Sequence, residues 1–224
     1  MPDWSPDGLR VAFIATADVV SDIWVMDADG GNRTRLTTEG FVDRAPDWSP
    51  DGSLIAFERA WGEIWTIKPD GTDLTFIRVG RGPDWSPDGT QILFYSDEVY
   101  VMDADGSNAV ALTVSGPSLW PVWSPDGSRI AYQTGQDLNP HNQAYEIYIM
   151  NADGTNPVRL TNNPATDRYP SWSPDGDTIV FTSYRDGHAQ LYVTDTTGSG
   201  DNSVPLISNQ SNNLEPAWSS VIDP

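Results

Sequence analysis

Short apolar runs punctuated by Gly, Pro, Asp and Asn fill this chain from end to end. Across 46–78 the runs are Pro46–Ser49, Leu54–Phe57, Ile64–Ile67 and Leu74–Arg78, each bounded by turn residues. Runs this short, with Ile55 and Phe57 on one face at period 2, predict β-strands rather than helices. The same quartet recurs. Second strands are expected at Val11/Phe13, Ile92/Phe94, Ile130/Tyr132 and Ile179/Phe181. Third strands are expected at Ile23–Met26, Val99–Met102, Ile147–Met150 and Leu191–Thr194. Fourth strands are expected to end at Leu36-Thr37, Leu112-Thr113, Leu160-Thr161 and Leu206-Ile207.

A pentapeptide sets the register. Trp-Ser-Pro-Asp-Gly stands at Trp4–Gly8, Trp48–Gly52, Trp85–Gly89, Trp123–Gly127 and Trp172–Gly176, with a broken copy at Trp218-Ser219-Ser220. Its tryptophans lie 44, 37, 38, 49 and 46 residues apart. A period near 40 with four strands per unit predicts an all-β chain, a β-propeller with one four-stranded blade per repeat. The repeats run over about 1–43, 44–80, 81–118, 119–167 and 168–213, one propeller domain over 1–224, with an extra C-terminal strand in 214–224. That extra strand, Glu215–Ser220, either closes the ring or opens a sixth blade, in which case the chain is a fragment of a six-bladed propeller. Tryptophan at a fixed place in each first strand is expected to pack between neighbouring blades, as are Trp24, Trp65, Tyr100, Tyr148 and Tyr192 of the third strands.

The net charge of −20 changes this picture less than its size suggests. Many aspartates fall in the Ser-Pro-Asp-Gly and Asp-Ala-Asp-Gly turns, where a short carboxylate bonds nearby backbone N–H groups. The acidity still argues against a nucleic-acid partner, which calls for dense basic patches. No apolar stretch is long enough for a membrane span, and no signal peptide is expected, because the first residues enter a blade. The absence of cysteine excludes disulfides and thiol catalysis.

Pro170–Gly176, Ile147–Gly154 and Arg159–Thr161 resemble the TolB-type β-propeller repeat, and the resemblance runs through the whole chain. It implies a binding propeller in the periplasm or at the cell surface, since TolB is a periplasmic partner of envelope lipoproteins. Similar repeats in propellers that gate peptidases leave open a regulatory domain of a larger enzyme, and a propeller lyase or hydrolase is a further alternative.

The short turns from first to second and from third to fourth strand share one end of each blade. The opposite end carries the second-to-third loops and the blade connections, which vary, and binding is expected there. Four residues before the blade tryptophan stand Arg44, Arg81 and Arg168, two of them preceded by Asp43 and Asp167. They are expected to ring the channel mouth and receive an anion through the guanidinium fork, or else to pair with those aspartates between blades. Trp120 and Tyr169, three before the tryptophan, are expected to add aromatic contacts or to fill the channel entrance. His141 and Tyr145 belong to the enlarged loop Gln133–Glu146. The expected partner is a protein or peptide, with self-association through open blade edges as a further possibility.

No catalytic residue, metal or cofactor is expected. Asp27-Ala28-Asp29-Gly30 has faint calcium-loop spacing, but Lys68 and Asn151 occupy the equivalent first position in other repeats, so turn chemistry is the better reading. His188 with Asp186 suggests a triad only until the missing Gly-x-Ser-x-Gly elbow is noticed. Two histidines fall short of a three-ligand zinc site. Asn32-Arg33-Thr34 and Asn209-Gln210-Ser211 match the glycosylation triplet, a frequent chance match.

Overall fold

The computed structural model describes residues 2–17, 20–60, 62–114, 116–135, 144–198, 201–206 and 216. They form five antiparallel sheets, each of four strands in chain order. The first sheet holds β1 (Asp3–Trp4), β2 (Arg10–Ala17), β3 (Val20–Asp27) and β4 (Thr34–Arg35). The second holds β5 (Asp43–Trp48), β6 (Ile55–Arg59), β7 (Glu63–Ile67) and β8 (Thr75–Val79). The third holds β9 (Arg81–Trp85), β10 (Gln91–Tyr95), β11 (Val99–Asp103) and β12 (Val110–Ala111). The fourth holds β13 (Ser118–Trp123), β14 (Arg129–Thr134), β15 (Glu146–Asn151) and β16 (Val158–Arg159). The fifth holds β17 (Asp167–Trp172), β18 (Thr178–Ser183), β19 (Gln190–Asp195) and β20 (Val204–Pro205). The fold is an all-β, five-bladed β-propeller of four-stranded antiparallel sheets. His141 and the expected last strand, apart from Pro216, lie outside the described residues.

Two compact units divide the chain, one of residues up to Ser96 with Val101–Val110, the other of Asp97–Tyr100 with Ala111 onward. In the first, Ile23, Val25, Leu36, Trp48, Ile55, Phe57 and Ile67 form a core. In the second, Ile147, Ile149, Leu160, Trp172, Ile179, Phe181 and Tyr192 do the same. Burial of each large side chain contributes about 1.5–3 kcal/mol. All five residues of β6 are buried, with Ile55 and Phe57 on one face as expected. Sheets on both faces cover it, so Ala56 fills one side while Ile55 and Phe57 fill the other.

The blade tryptophans are mostly buried as expected, Trp48 and Trp85 in the first unit, Trp123 and Trp172 in the second. Guanidinium groups of the preceding blade cover two of them, Arg10 at 4.8 Å from the Trp48 ring and Arg129 at 4.7 Å from that of Trp172. Trp4 departs from the pattern at 42% exposed. Among the third-strand aromatics Tyr148 and Tyr192 are buried, whereas Trp24, Trp65 and Tyr100 are half-buried.

Turn chemistry explains the repeated motifs. In the first Ser-Pro-Asp-Gly copy the Ser5 hydroxyl donates to Asp7 Oδ1 at 2.6 Å and accepts from the Arg10 N–H at 2.9 Å, while Asp7 Oδ1 also accepts from the Leu9 N–H. Gly8 closes the turn at φ 69°, a conformation a side chain would resist. The other four copies repeat the Ser-to-Asp bond. The serine hydroxyl, followed by the backbone N–H, holds these five carboxyls below the usual range, Asp126 at about 2. In the later turns Asp29, Asp70, Asp105 and Asp153 cap the N–H two residues on. The Asp27 carboxylate accepts from the Asn32 amide at 2.6 Å, so this turn spends its carboxylates on its own geometry.

Fourth strands other than β8 are two residues long and stop short of the Leu-Thr pair. The pair replaces the ladder with a clip. Leu160 N–H bonds the Ile147 carbonyl, and Ile147 N–H bonds back to Thr161 Oγ1 at 2.9 Å. Leu36-Thr37 and Leu112-Thr113 do the same with Ile23 and Val99. Arg159 completes the clip, donating to the Thr161 carbonyl and to Glu146, which also accepts a hydrogen bond from the Thr161 hydroxyl at 2.6 Å.

Candidate functional site

Both short turns of the first blade lie at one end of it, where the Ala28 N–H bonds the Leu9 carbonyl. At the other end, where the innermost strands begin, the regular ladder breaks. Register slips between Arg44 and Asp47 on β5, between Leu119 and Val122 on β13, and between Arg168 and Ser171 on β17. Each slip holds an X-Pro pair: proline has no N–H to give the ladder, so the strand bulges there. The residue before that proline takes positive φ: Ala45 at 45°, Trp120 at 53°, Tyr169 at 57°, and the equivalent Gly82 at 52°. A non-glycine residue held there costs about 1 kcal/mol or more. A bulge also re-aims the side chain it carries.

The backbone N–H at this position needs another acceptor, and the previous blade supplies one. Gly82 N–H points at Glu58 Oε2 at 3.3 Å, and Tyr169 N–H at Gln133 Oε1 at 2.9 Å. Glu58 and Gln133 directly follow the second-strand aromatics Phe57 and Tyr132. Sequence reasoning missed both, and the polar residue after an apolar run was the signal for them.

In the first unit Arg44 lies opposite Glu58 across β5 and β6. Burial pushes the Glu58 carboxyl up, while the Gly82 N–H and the charges of Arg81 and Arg44 pull it back down. Both arginines thus act on one internal carboxylate. Asp43, expected to pair between blades, instead forms a two-pronged pair inside its own sheet with Arg59, at 2.9 and 3.0 Å, both groups buried. The Arg59 guanidinium also lies 5.0–5.3 Å from the rings of Trp65, Phe41 and Phe57.

In the second unit Asp167 likewise pairs within its own blade, with Arg185 of the turn after β18, at 3.1 Å. Trp120 and Tyr169 meet edge to face, ring centres 5.3 Å apart at 77°. Beside Tyr169, the Arg168 guanidinium lies 5.3 Å from the Tyr145 ring, and its buried Nε has no hydrogen-bond partner among the described residues. Four expected site residues of this unit thus form two contacting pairs joined through the chain at 168–169: Trp120 with Tyr169, and Arg168 with Tyr145. His188 and Asp186 form no triad, because the Asp186 carboxylate accepts from the Tyr192 hydroxyl at 2.7 Å and His188 Nδ1 lies 3.1 Å from the Asp186 carbonyl.

A second feature escaped the sequence reading. Asp3, Asp47 and Asp84 each precede the blade tryptophan in repeats one to three, where repeats four and five have Val122 and Ser171. The Asp3 carboxylate accepts from the Trp48 N–H at 2.7 Å, and Asp47 from the Trp85 N–H at 2.6 Å, tying successive blades of the first unit. Burial raises Asp3 to about 6, and burial next to Asp84 and Asp3 raises Asp47 well above the ordinary carboxylate value.

Residues 121–222 match the family profile described as the TolB beta propeller domain, PD40. Forty residues are 45% identical to the Tol-Pal system protein TolB of Anaeromyxobacter dehalogenans, a match covering 18% of this chain and 9% of that protein. TolB from Acinetobacter baumannii superposes with a TM-score of 0.78 at 24% identity, covering 97% of this chain and 56% of that one. The tricorn protease superposes with a TM-score of 0.70 at 20% identity, covering 96% of this chain and 23% of that one. The chain thus spans about half the length of the Acinetobacter TolB structure, and both structural likenesses speak for fold alone. The repeats within residues 121–222 are thus similar to TolB-type PD40 propeller repeats.

Proposed function

We propose that this chain, built of TolB-type propeller repeats, is a non-catalytic module that binds a protein or peptide at the loop-bearing ends of its blades. The observation that carries this reading is the Trp120–Tyr169 pair. Two large aromatic residues occupy positive-φ positions in successive blades, where alanine and glycine serve elsewhere. Half-buried aromatic side chains on a rigid frame are what binding surfaces use, because they add contact area at low entropic cost. Similarity to a Tol-Pal system protein supports a protein partner and work in the periplasm or at the cell surface.

The test is capture from an extract of the source organism on the immobilised chain. A partner taken up by the natural chain should be lost from Trp120→Ala with Tyr169→Ala, and the variant should keep a cooperative melt. Undiminished capture by the folded double variant would sink this reading. A second reading, a regulatory propeller of a larger enzyme, draws on the likeness to the tricorn protease. Its test is the gene: a hydrolase domain encoded in the same chain favours it.

A further inference from the structure

The three arginines that share a place before the blade tryptophan differ in what the preceding blade sets beside them. Arg81 follows a blade whose acceptor is Glu58, and Arg168 follows one whose acceptor is Gln133. The two acceptors hold the same backbone position, bond the same N–H, and are equally buried at 4% and 2% exposed. One carries a charge and the other does not. Glu58 lies opposite Arg44 across the sheet, and the charges of both Arg44 and Arg81 act on it within the first unit. Arg168 makes no ion pair among the described residues, the nearby Asp167 being taken by Arg185. Among the described residues its charge is met by the face of Tyr145, and its Nε hydrogen has no acceptor. A buried donor left in this state favours a ligand that brings an acceptor.

Resting on the binding role proposed above, we propose that Arg168 is the anion-recognising residue of the second unit, and that it takes a peptide carboxylate whose apolar neighbour packs on Trp120 and Tyr169. The residue at the Gln133 position decides this. A neutral amide leaves the guanidinium charge for the ligand, whereas a glutamate there would satisfy it internally, as Glu58 does in the first unit. The aromatic geometry favours a peptide over an acidic sugar. The edge-to-face contact of Trp120 with Tyr169 occupies one ring face, and Arg168 lies over that of Tyr145. A sugar ring stacks on an open flat face, while peptide side chains also pack against ring edges.

The experiment follows arginine Nε–Hε signals of the full chain by NMR during titration with N-acetylphenylalanine, its uncharged amide, and galacturonate. The Arg168 signal, identified by its loss in Arg168→Lys, should move saturably with N-acetylphenylalanine and stay still with the amide. Gln133→Glu should weaken that response about tenfold or more, the scale of a lost charge-assisted hydrogen bond. Glu58→Gln should create a response at Arg81 that the natural chain lacks. An Arg168 signal unmoved by the carboxylate, or moved equally by the amide, overturns the proposal, and a response to galacturonate alone overturns the peptide assignment. If the natural chain captures a partner and Arg168→Lys captures it equally, this inference falls while the broader binding role stands.

Discussion

Single residues carry strain in this protein where the inner strand bulges, and strain can be measured. Ala45 has φ 45° with no side chain large enough to gain contacts in return, unlike Trp120 and Tyr169. Ala45→Gly removes the Cβ conflict and should raise stability by about 0.5–1 kcal/mol, after allowing for the greater freedom of glycine in the unfolded chain. Chemical denaturation of the two proteins checks it, and a loss of stability would mean the position is unstrained. The five turn aspartates show the reverse economy, since each short carboxylate meets a hydroxyl and a backbone N–H at once. Ser124→Ala removes both the donor to Asp126 and the acceptor for the Arg129 N–H, and should cost about 1–2 kcal/mol in the same assay.

At the scale of the element, the Leu-Thr clip decides where a blade ends. A β-ladder would continue past Arg159, but the Thr161 hydroxyl takes over the acceptor role of a backbone carbonyl and itself donates a hydrogen bond to Glu146. Thr161→Val keeps the shape and deletes both bonds, leaving the Ile147 N–H and one Glu146 oxygen buried without those partners. The expected cost is about 2–4 kcal/mol, more than a surface substitution and less than loss of a blade. Hydrogen exchange should show the Ile147 amide losing protection first. If Ile147 stays as protected as in the natural protein, the clip adds nothing to the edge.

For the whole molecule, the carboxylates divide into two groups that pull stability in opposite directions with pH. The turn aspartates, held down by serine hydroxyls and backbone N–H groups, contribute fully above the unfolded value of 3.8. Their contribution is lost as pH falls through the folded values, near 2 for Asp126. Asp3 and Glu146 are raised by burial to about 6 and about 7. Their folded forms hold protons that the unfolded chain releases, so their contribution is present in acid and fades as pH climbs through about 4 to about 7. Stability should therefore peak in mild acid. The melting temperature is expected to be higher at about pH 5 than at about pH 8, and Glu146→Gln should flatten that slope. A melting temperature that rises toward pH 8 contradicts the assignment.

Much of this was open to reading in the chain. Five pentapeptides at near-even spacing determine five blades, because a Ser-Pro-Asp-Gly turn and the strands beside it depend on contacts within a few residues. The strand positions, the turn role of the aspartates and the shared end of the short turns all follow from local chemistry. Pro46, Pro121 and Pro170 even marked the bulges, since a proline inside a strand demands one. What the sequence could not decide was which charge meets which. Asp43 stands next to Arg44 yet binds Arg59, and Asp167 stands next to Arg168 yet binds Arg185. Arg59 lies across the sheet in register with Asp43, 16 residues away, and Arg185 lies in the turn just past the register partner of Asp167, 18 residues away. Glu58 and Gln133 act on the following blade, 24 and 36 residues on. Repeat periodicity says where a side chain stands, whereas the packing of one sheet on the next says what it faces. That second fact separates an arginine already answered by Glu58 from one beside a neutral glutamine.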